Sequence, residues 1–129
     1  MTSKREELIH DLFERWNAGV REIDREAIDP QAVLHSAMTN STYQGYDEIR
    51  RWMDEIDEQF ERWELSVEES RELSDGSLLL LGQVNFRGRA SGVEFDQPIG
   101  WLLRFSGERV SEMRNFPDHQ RALDAAGTD

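Results

Sequence analysis

Cysteine is absent from this sequence, which excludes a disulfide framework and any thiolate metal site. Lysine occurs once, at Lys4; every other basic residue is arginine, a bias we read as genome composition. Positive charge is scarce overall. Fifteen basic against 27 acidic residues leave a net charge of −12, which sets aside nucleic-acid binding by phosphate neutralisation and points to a solvated acidic surface. Long apolar runs are missing too: the longest, Leu78–Leu81, cannot span a bilayer. The opening MTSKREELIHDLF lacks the basic-then-apolar layout of a signal peptide, so a cytoplasmic protein without a membrane partner is expected. Three scattered histidines with no carboxylate cluster beside them give no metal signature, and no cofactor is expected. Repeats, linkers and low-complexity stretches are also lacking. What remains is a chain of 129 residues, 37% hydrophobic in alternating patterns, which is one domain with a core of its own.

The chain is organised around Leu78 to Phe116. Read in order this is LLLLGQVNFRGRA, a tight turn at Ser91-Gly92, VEFDQPIGWLLRF, a turn at Ser106-Gly107, and RVSEMRNF. The pattern predicts a three-stranded antiparallel meander with two long arms. Strands of about 13 residues reach about 40 Å if straight, so they must twist and curl. A curled sheet has a hollow face. Pairing through a two-residue turn at Ser91-Gly92 sets Gly82 opposite Trp101 and Val84 opposite Ile99. It leaves Leu80, Gly82, Val84, Phe86, Ile99, Trp101 and Leu103 on that hollow face, with no charge among them. The other face carries Leu79, Leu81, Gln83, Asn85, Arg87, Leu102 and Arg104.

The segments before the meander supply the cover. Ser3-Lys-Arg-Glu6 is a capping box, followed by Leu8, Ile9, Leu12, Phe13, Trp16 and Val20 on one helical face. Asp24 caps a short helix predicted over Arg25–Ile28, which Asp29-Pro30 stops. Ala32–Met38 reads as a short strand and Thr39–Gly45 as a polar loop. Asp47 opens a third helix with a stripe of Ile49, Trp52, Met53, Ile56 and Phe60. A strand from Trp63 to about Leu73 turns at Asp75-Gly76 into the meander, and a last helix runs from about Asp118 to Ala125. His10 and His119 fall on polar helix faces. The fold class is α+β, a conical curved antiparallel sheet closed by N-terminal helices. Because Leu78–Leu81 is apolar on both faces, the outer face also needs a cover. A second copy of the chain, giving a homodimer, is the simplest; the terminal helix alone is the alternative.

LFERWN, IDREAI, QGYDEIRRW, RASGVEFDQPIGWLLRFSGERVSEM and the closing DHQRALDAAG together resemble the nuclear transport factor 2-like superfamily, in particular its SnoaL-like polyketide cyclase branch. The resemblance spans nearly the whole chain and implies a cystatin-like α+β barrel, usually dimeric, with a pocket for an apolar or aromatic molecule. Members include ketosteroid isomerases, cyclases, epoxide hydrolases and non-catalytic binding modules, so fold does not decide function. The isomerases place an Asp base on the first strand, a Tyr on the first helix and a protonated Asp on a long strand. The matching positions look like Ser36, Trp16 and Trp101, none of which supplies that chemistry. The cyclase His and Asp positions correspond to Trp101 and Asn115. Asn has the shape of Asp without its basicity.

Two residues stand as weak catalytic candidates. His35 lies beside Ser36, but neighbours on a strand point to opposite faces, which favours a surface or interface histidine. Asn115 can orient a carbonyl or hydroxyl. The expected pocket is lined by Trp16, Ser36, Met38, Tyr43, Trp52, Phe60, Val84, Phe86, Ile99, Trp101, Met113 and Asn115, with Ser36, Tyr43 and Asn115 as its polar handles. The leading expectation is capture of a small apolar or aromatic molecule. An isomerase- or cyclase-type enzyme using atypical residues, and a dimeric structural or protein-interaction module whose own rings plug the hollow, are the alternatives.

Overall fold

A computed structural model describes residues 3–127 and shows three helices on a six-stranded, curved, unclosed sheet. Helix α1 (Lys4–Asn17) starts at Ser3, whose Oγ accepts from the Glu6 N–H at 3.2 Å. Only that half of the capping box is made. The Glu6 carboxylate accepts from the Ser70 hydroxyl at 2.8 Å and from the Ser3 hydroxyl at 3.5 Å. The chain then passes through turns into β1 (Ile28–Ser36), β2 (Ser41–Gln44), α2 (Gly45–Gln59), β3 (Phe60–Glu72), β4 (Leu78–Gly88), β5 (Glu94–Ser106), β6 (Arg109–Phe116) and α3 (His119–Ala126).

The strands lie in the order β2-β1-β6-β5-β4-β3. The meander is antiparallel as predicted, but β1 joins it parallel to β6, so the sheet is mixed. Helices α1 and α2 cover the hollow face. Ile9, Phe13 and Trp16 of α1 and Ile56 of α2 pack there against Leu78, Leu80, Val84, Phe86, Ile99, Trp101 and Leu103. Burial of those side chains, at ~1.5–3 kcal/mol each, is the main force closing the cone.

Several local expectations are corrected. Arg25–Ala27 forms one turn rather than a helix. The Asp24 carbonyl accepts from both Ala27 and Ile28, and Ile28 then pairs with Val110 as the first residue of β1. Pro30 sits where the β1–β6 register is interrupted, so its missing N–H costs no ladder bond. Ser41–Gln44, expected as loop, is an edge strand paired with β1. Phe60, expected on the third helix, opens β3.

The meander register differs by two residues from the expected one. Gly88 bonds to Val93 across a four-residue loop, so Leu80 faces Trp101, Gly82 faces Ile99 and Val84 faces Gln97. A shift of two keeps every side chain on its face. Gly82 is therefore not making room for Trp101. It makes room for β3: a Cβ there would lie 1.9 Å from the Ser66 carbonyl oxygen.

The outer leucines are covered by α3. Leu79 and Leu81 pack with Ala122, joined by Leu123 and Ala126. Gly100 lets α3 approach closely; a Cβ there would lie 2.3 Å from that of Ala122. His119, expected to be solvated, is half-buried with Nε2 2.8 Å from the Gly82 carbonyl oxygen. The outer face of β4 therefore has the cover that the sequence left open, within one chain.

One turn carries a pH signature. The Ser77 N–H, 2.9 Å from Asp75 Oδ1, holds the Asp75 carboxyl below its ordinary range. A depressed folded-state pKa adds stability that is present above the unfolded value near ~3.9 and is lost as pH falls through the folded one. Between roughly pH 5 and pH 3, urea titrations should show wild type losing more stability than Asp75→Ala. Parallel losses would remove that role.

Candidate functional site

Between the helices and the sheet lies a cavity of about 140 Å³. Its sheet wall is Leu34 of β1, Trp63 of β3, Ile99 and Trp101 of β5, and Val110, Met113 and Asn115 of β6. The helices close it with Phe13 and Trp16 from α1 and Ile49, Trp52 and Met53 from α2. The strand positions follow from alternation: Trp101 is paired with Asn115, Leu103 with Met113, and Leu34 with Met113, all on one face. No residue of this sheet wall is charged.

The rings are fixed by hydrogen bonds and by one another. Trp16 Nε1 donates to the Trp63 carbonyl at 2.7 Å, and Trp52 Nε1 donates to Ser36 Oγ at 3.0 Å. Trp16 and Trp52 have centroids 5.8 Å apart, and Phe13 and Trp101 4.9 Å. These pairs take up part of the hollow and leave a space close to one ring in size. A dry apolar cavity of ~150 Å³ takes up benzene.

The mouth lies at the segment between α1 and β1. Arg15, Glu22, Ile23 and Asp24 line both the cavity and a shallow polar vestibule outside it, with Arg25, Tyr46, Asp47 and Arg50 beyond. Arg21 anchors this segment. Its Nε lies 2.9 Å from Asp57 Oδ2, its Nη1 donates to the Trp16 carbonyl at 2.8 Å, and its guanidinium stacks 3.6 Å from the Trp16 ring centroid. Arg50 donates to the Arg21 carbonyl as well. Asp24 Oδ1 accepts from the Glu26 N–H at 3.0 Å, so one of the two rim carboxylates is engaged in the turn.

Of the expected pocket residues, Trp16, Trp52, Ile99, Trp101, Met113 and Asn115 meet around the cavity. The others lie elsewhere. Phe60 and Phe86 form a ring cluster with Trp63 toward the β4–β5 loop, and Val84 is core. Met38 packs against the edge of that core. Ser36 is buried, accepting from Trp52 Nε1 and, at 3.3 Å, from Thr39 N–H. The Tyr43 hydroxyl is bonded to Thr39 and Glu55, each at 2.9 Å.

His35 lies on the opposite face of the sheet. Its Nε2 is 2.9 Å from Glu112 and its Nδ1 3.3 Å from the Thr42 hydroxyl. Arg89 caps the end of α2 through the Asp57 and Phe60 carbonyls. Among the described residues no three of His, Asp or Glu gather in a way that could hold a metal ion. No helix among them is long and apolar enough to cross a membrane.

Sequence reasoning missed the loop side of the cavity. Ile23 is the one apolar residue in Arg21–Glu26, and its isolation in a polar stretch was the available signal. Leu34 was visible by alternation with Ser36 and Met38 on one side of β1.

The model of the SnoaL-like domain matches residues 9–113. Among solved structures, a putative SnoaL-like polyketide cyclase from Jannaschia sp. CCS1 is 23% identical with a TM-score of 0.75, over 100% of this chain and 98% of that one. An NTF2-like protein of unknown function from Burkholderia pseudomallei is 16% identical with a TM-score of 0.80, over 95% and 97%. A hypothetical protein with a ketosteroid isomerase-like fold from Catenulispora acidiphila, in complex with trimethylamine, is 14% identical with a TM-score of 0.75, over 99% and 96%. At these identities the likeness shows the fold. Among curated proteins, none matches this chain.

Proposed function

This chain belongs to the SnoaL-like domain family, and from that premise we propose that its cavity captures a small apolar or aromatic molecule without converting it. The observation that carries the reading is the cavity itself: about 140 Å³, walled by rings and aliphatic chains, with no charge on the sheet side. Apolar walls with few polar groups are the usual make-up of a small-molecule site. The complex of the Catenulispora protein with trimethylamine gives support, a small ligand on the same fold. Proton transfer inside the cavity needs a base beside the ligand. His35 is on the wrong face for that task, and the carboxylates Glu22 and Asp24 stand at the rim.

The test is a toluene titration followed by tryptophan fluorescence and by thermal melting. Toluene at ten times its Kd should stabilise the native state by about 1.4 kcal/mol and raise Tm by a few degrees. Ala32 is buried and lines the cavity, and its side chain is a single methyl. Ala32→Leu should occupy the space, leaving the chain folded and unresponsive to toluene. No saturable response in the wild type, across single-ring compounds of similar size, would overturn the proposal.

A further inference from the structure

Asn115 is more than nine-tenths buried, and its side-chain amide is held one way round. The Ala37 backbone N–H donates to its Oδ1, which fixes that atom as the acceptor and leaves Nδ2 as the free end. Nδ2 has no acceptor among the described residues. Trp101, its partner across the β5–β6 ladder, is 3% exposed, and its Nε1 has no acceptor there either. No sealed side-chain nitrogen or oxygen among the described residues lacks a partner, so both donors must reach open space. Both residues line the cavity.

The other polar groups of the hollow pair with one another. Asn115 Oδ1 takes the Ala37 N–H, the Trp63 carbonyl takes Trp16 Nε1, and Ser36 Oγ takes Trp52 Nε1. Two adjacent side-chain donors thus stand without acceptors in an apolar enclosure. An unpaired buried donor costs ~1–3 kcal/mol, and a ligand acceptor relieves that cost.

We propose that Asn115 Nδ2 and Trp101 Nε1 form a seat for one ligand oxygen, and that the ligand is a single-ring or similarly compact carbonyl compound. The inference rests on capture in this cavity and specifies the chemical class captured. A carbonyl oxygen has two lone pairs in the plane of its substituents and can accept from both donors at once. A hydrocarbon leaves both unpaired. A phenol fits less well, because its oxygen is a weaker acceptor than a carbonyl's and its own O–H needs an acceptor in turn.

Calorimetric titrations with benzaldehyde, toluene and phenol, which are close in size, test this. Wild type should bind benzaldehyde about five- to tenfold more tightly than toluene, the span of one to two hydrogen bonds. Phenol should not exceed toluene by more than about twofold on the same scale. Asn115→Leu should lower the preference for benzaldehyde over toluene to about two- to threefold, since Trp101 Nε1 still donates. That variant also loses the Ala37 bond, so a second readout is taken on wild type alone: the carbonyl stretch of bound benzaldehyde should move to lower frequency than in hexane. Equal affinities for benzaldehyde and toluene, or an unshifted stretch, would overturn the seat while leaving capture intact. Binding of none of the three would overturn capture and the seat together.

Discussion

Gly82→Ala is expected to lower stability by about 3 kcal/mol and Tm by about 10 °C. The new Cβ would lie 1.9 Å from the Ser66 oxygen, 3.0 Å from the Ser66 carbonyl carbon and 3.1 Å from Val67 Cα. All three are backbone atoms, so no rotamer change relieves the clash. The close approach arises from β3, which carries a bulge between Val67 and Glu69 and bends over β4 at that point. Relief requires sliding β3 off the ladder, and the carbonyl of the same glycine holds His119 at the start of α3. Both faces of the sheet are thereby disturbed. A domain of this size has ~5–15 kcal/mol in hand, so the loss is a large fraction of the total. Gly92→Ala is the control. Nothing lies within 4 Å of a Cβ there, and only its positive φ of 69° is at stake, which costs ~1–2 kcal/mol. Circular-dichroism melts of the two variants decide the matter. Equal shifts would mean that β3 does not close on β4 as described.

Trp101→Ala is expected to cost about 4 kcal/mol and to weaken the fluorescence response to toluene. The indole is 3% exposed, faces Leu80 and Asn115 on the neighbouring strands, and packs against Phe13. It belongs both to the core and to the cavity wall, so one truncation opens the hollow and removes one of the four tryptophans that line it. Trp101→Phe separates the two effects. It keeps a ring in the wall, should cost only about 1–2 kcal/mol, and should still bind toluene. Loss of toluene binding in Trp101→Phe with an intact melt would mean that the full indole shape, and not merely a ring, is needed to wall the cavity.

Much of this architecture was legible because period-two alternation is a direct consequence of strand geometry. Leu80, Val84, Phe86, Ile99, Trp101 and Leu103 fell on the hollow face by parity alone, and a register error of two residues did not disturb that. Loop length was the part that parity could not reveal. Ser91-Gly92 reads as a two-residue turn, whereas Arg89 bonds to Gln59 and its guanidinium caps α2, drawing the chain into a longer loop. Tyr43 was misplaced for a related reason. A four-residue edge strand among Thr, Asn and Ser has too short a pattern to register as a strand, and its pairing with β1 is a tertiary fact.

The site was half legible. Trp16, Trp52, Trp101, Met113 and Asn115 sit on elements whose facing the sequence predicts. The mouth is built from the Ala18–Ala27 segment, where side chains obey no period and position comes from Arg21 reaching Asp57 and stacking on Trp16. Phe60 and Phe86 were assigned to the same hollow because inward facing says nothing about which end of a long sheet a ring occupies. They pack with Trp63 instead, filling space at the far end of the cone.

Capture requires an open, apolar space between Trp16, Trp52, Trp101 and Met113. Diffraction from a xenon-pressurised crystal tests it most directly, since xenon enters dry apolar cavities and scatters strongly. A xenon peak bounded by those four side chains is the predicted result. Rings collapsed into contact with no peak between them, or an ordered water cluster in its place, would contradict it.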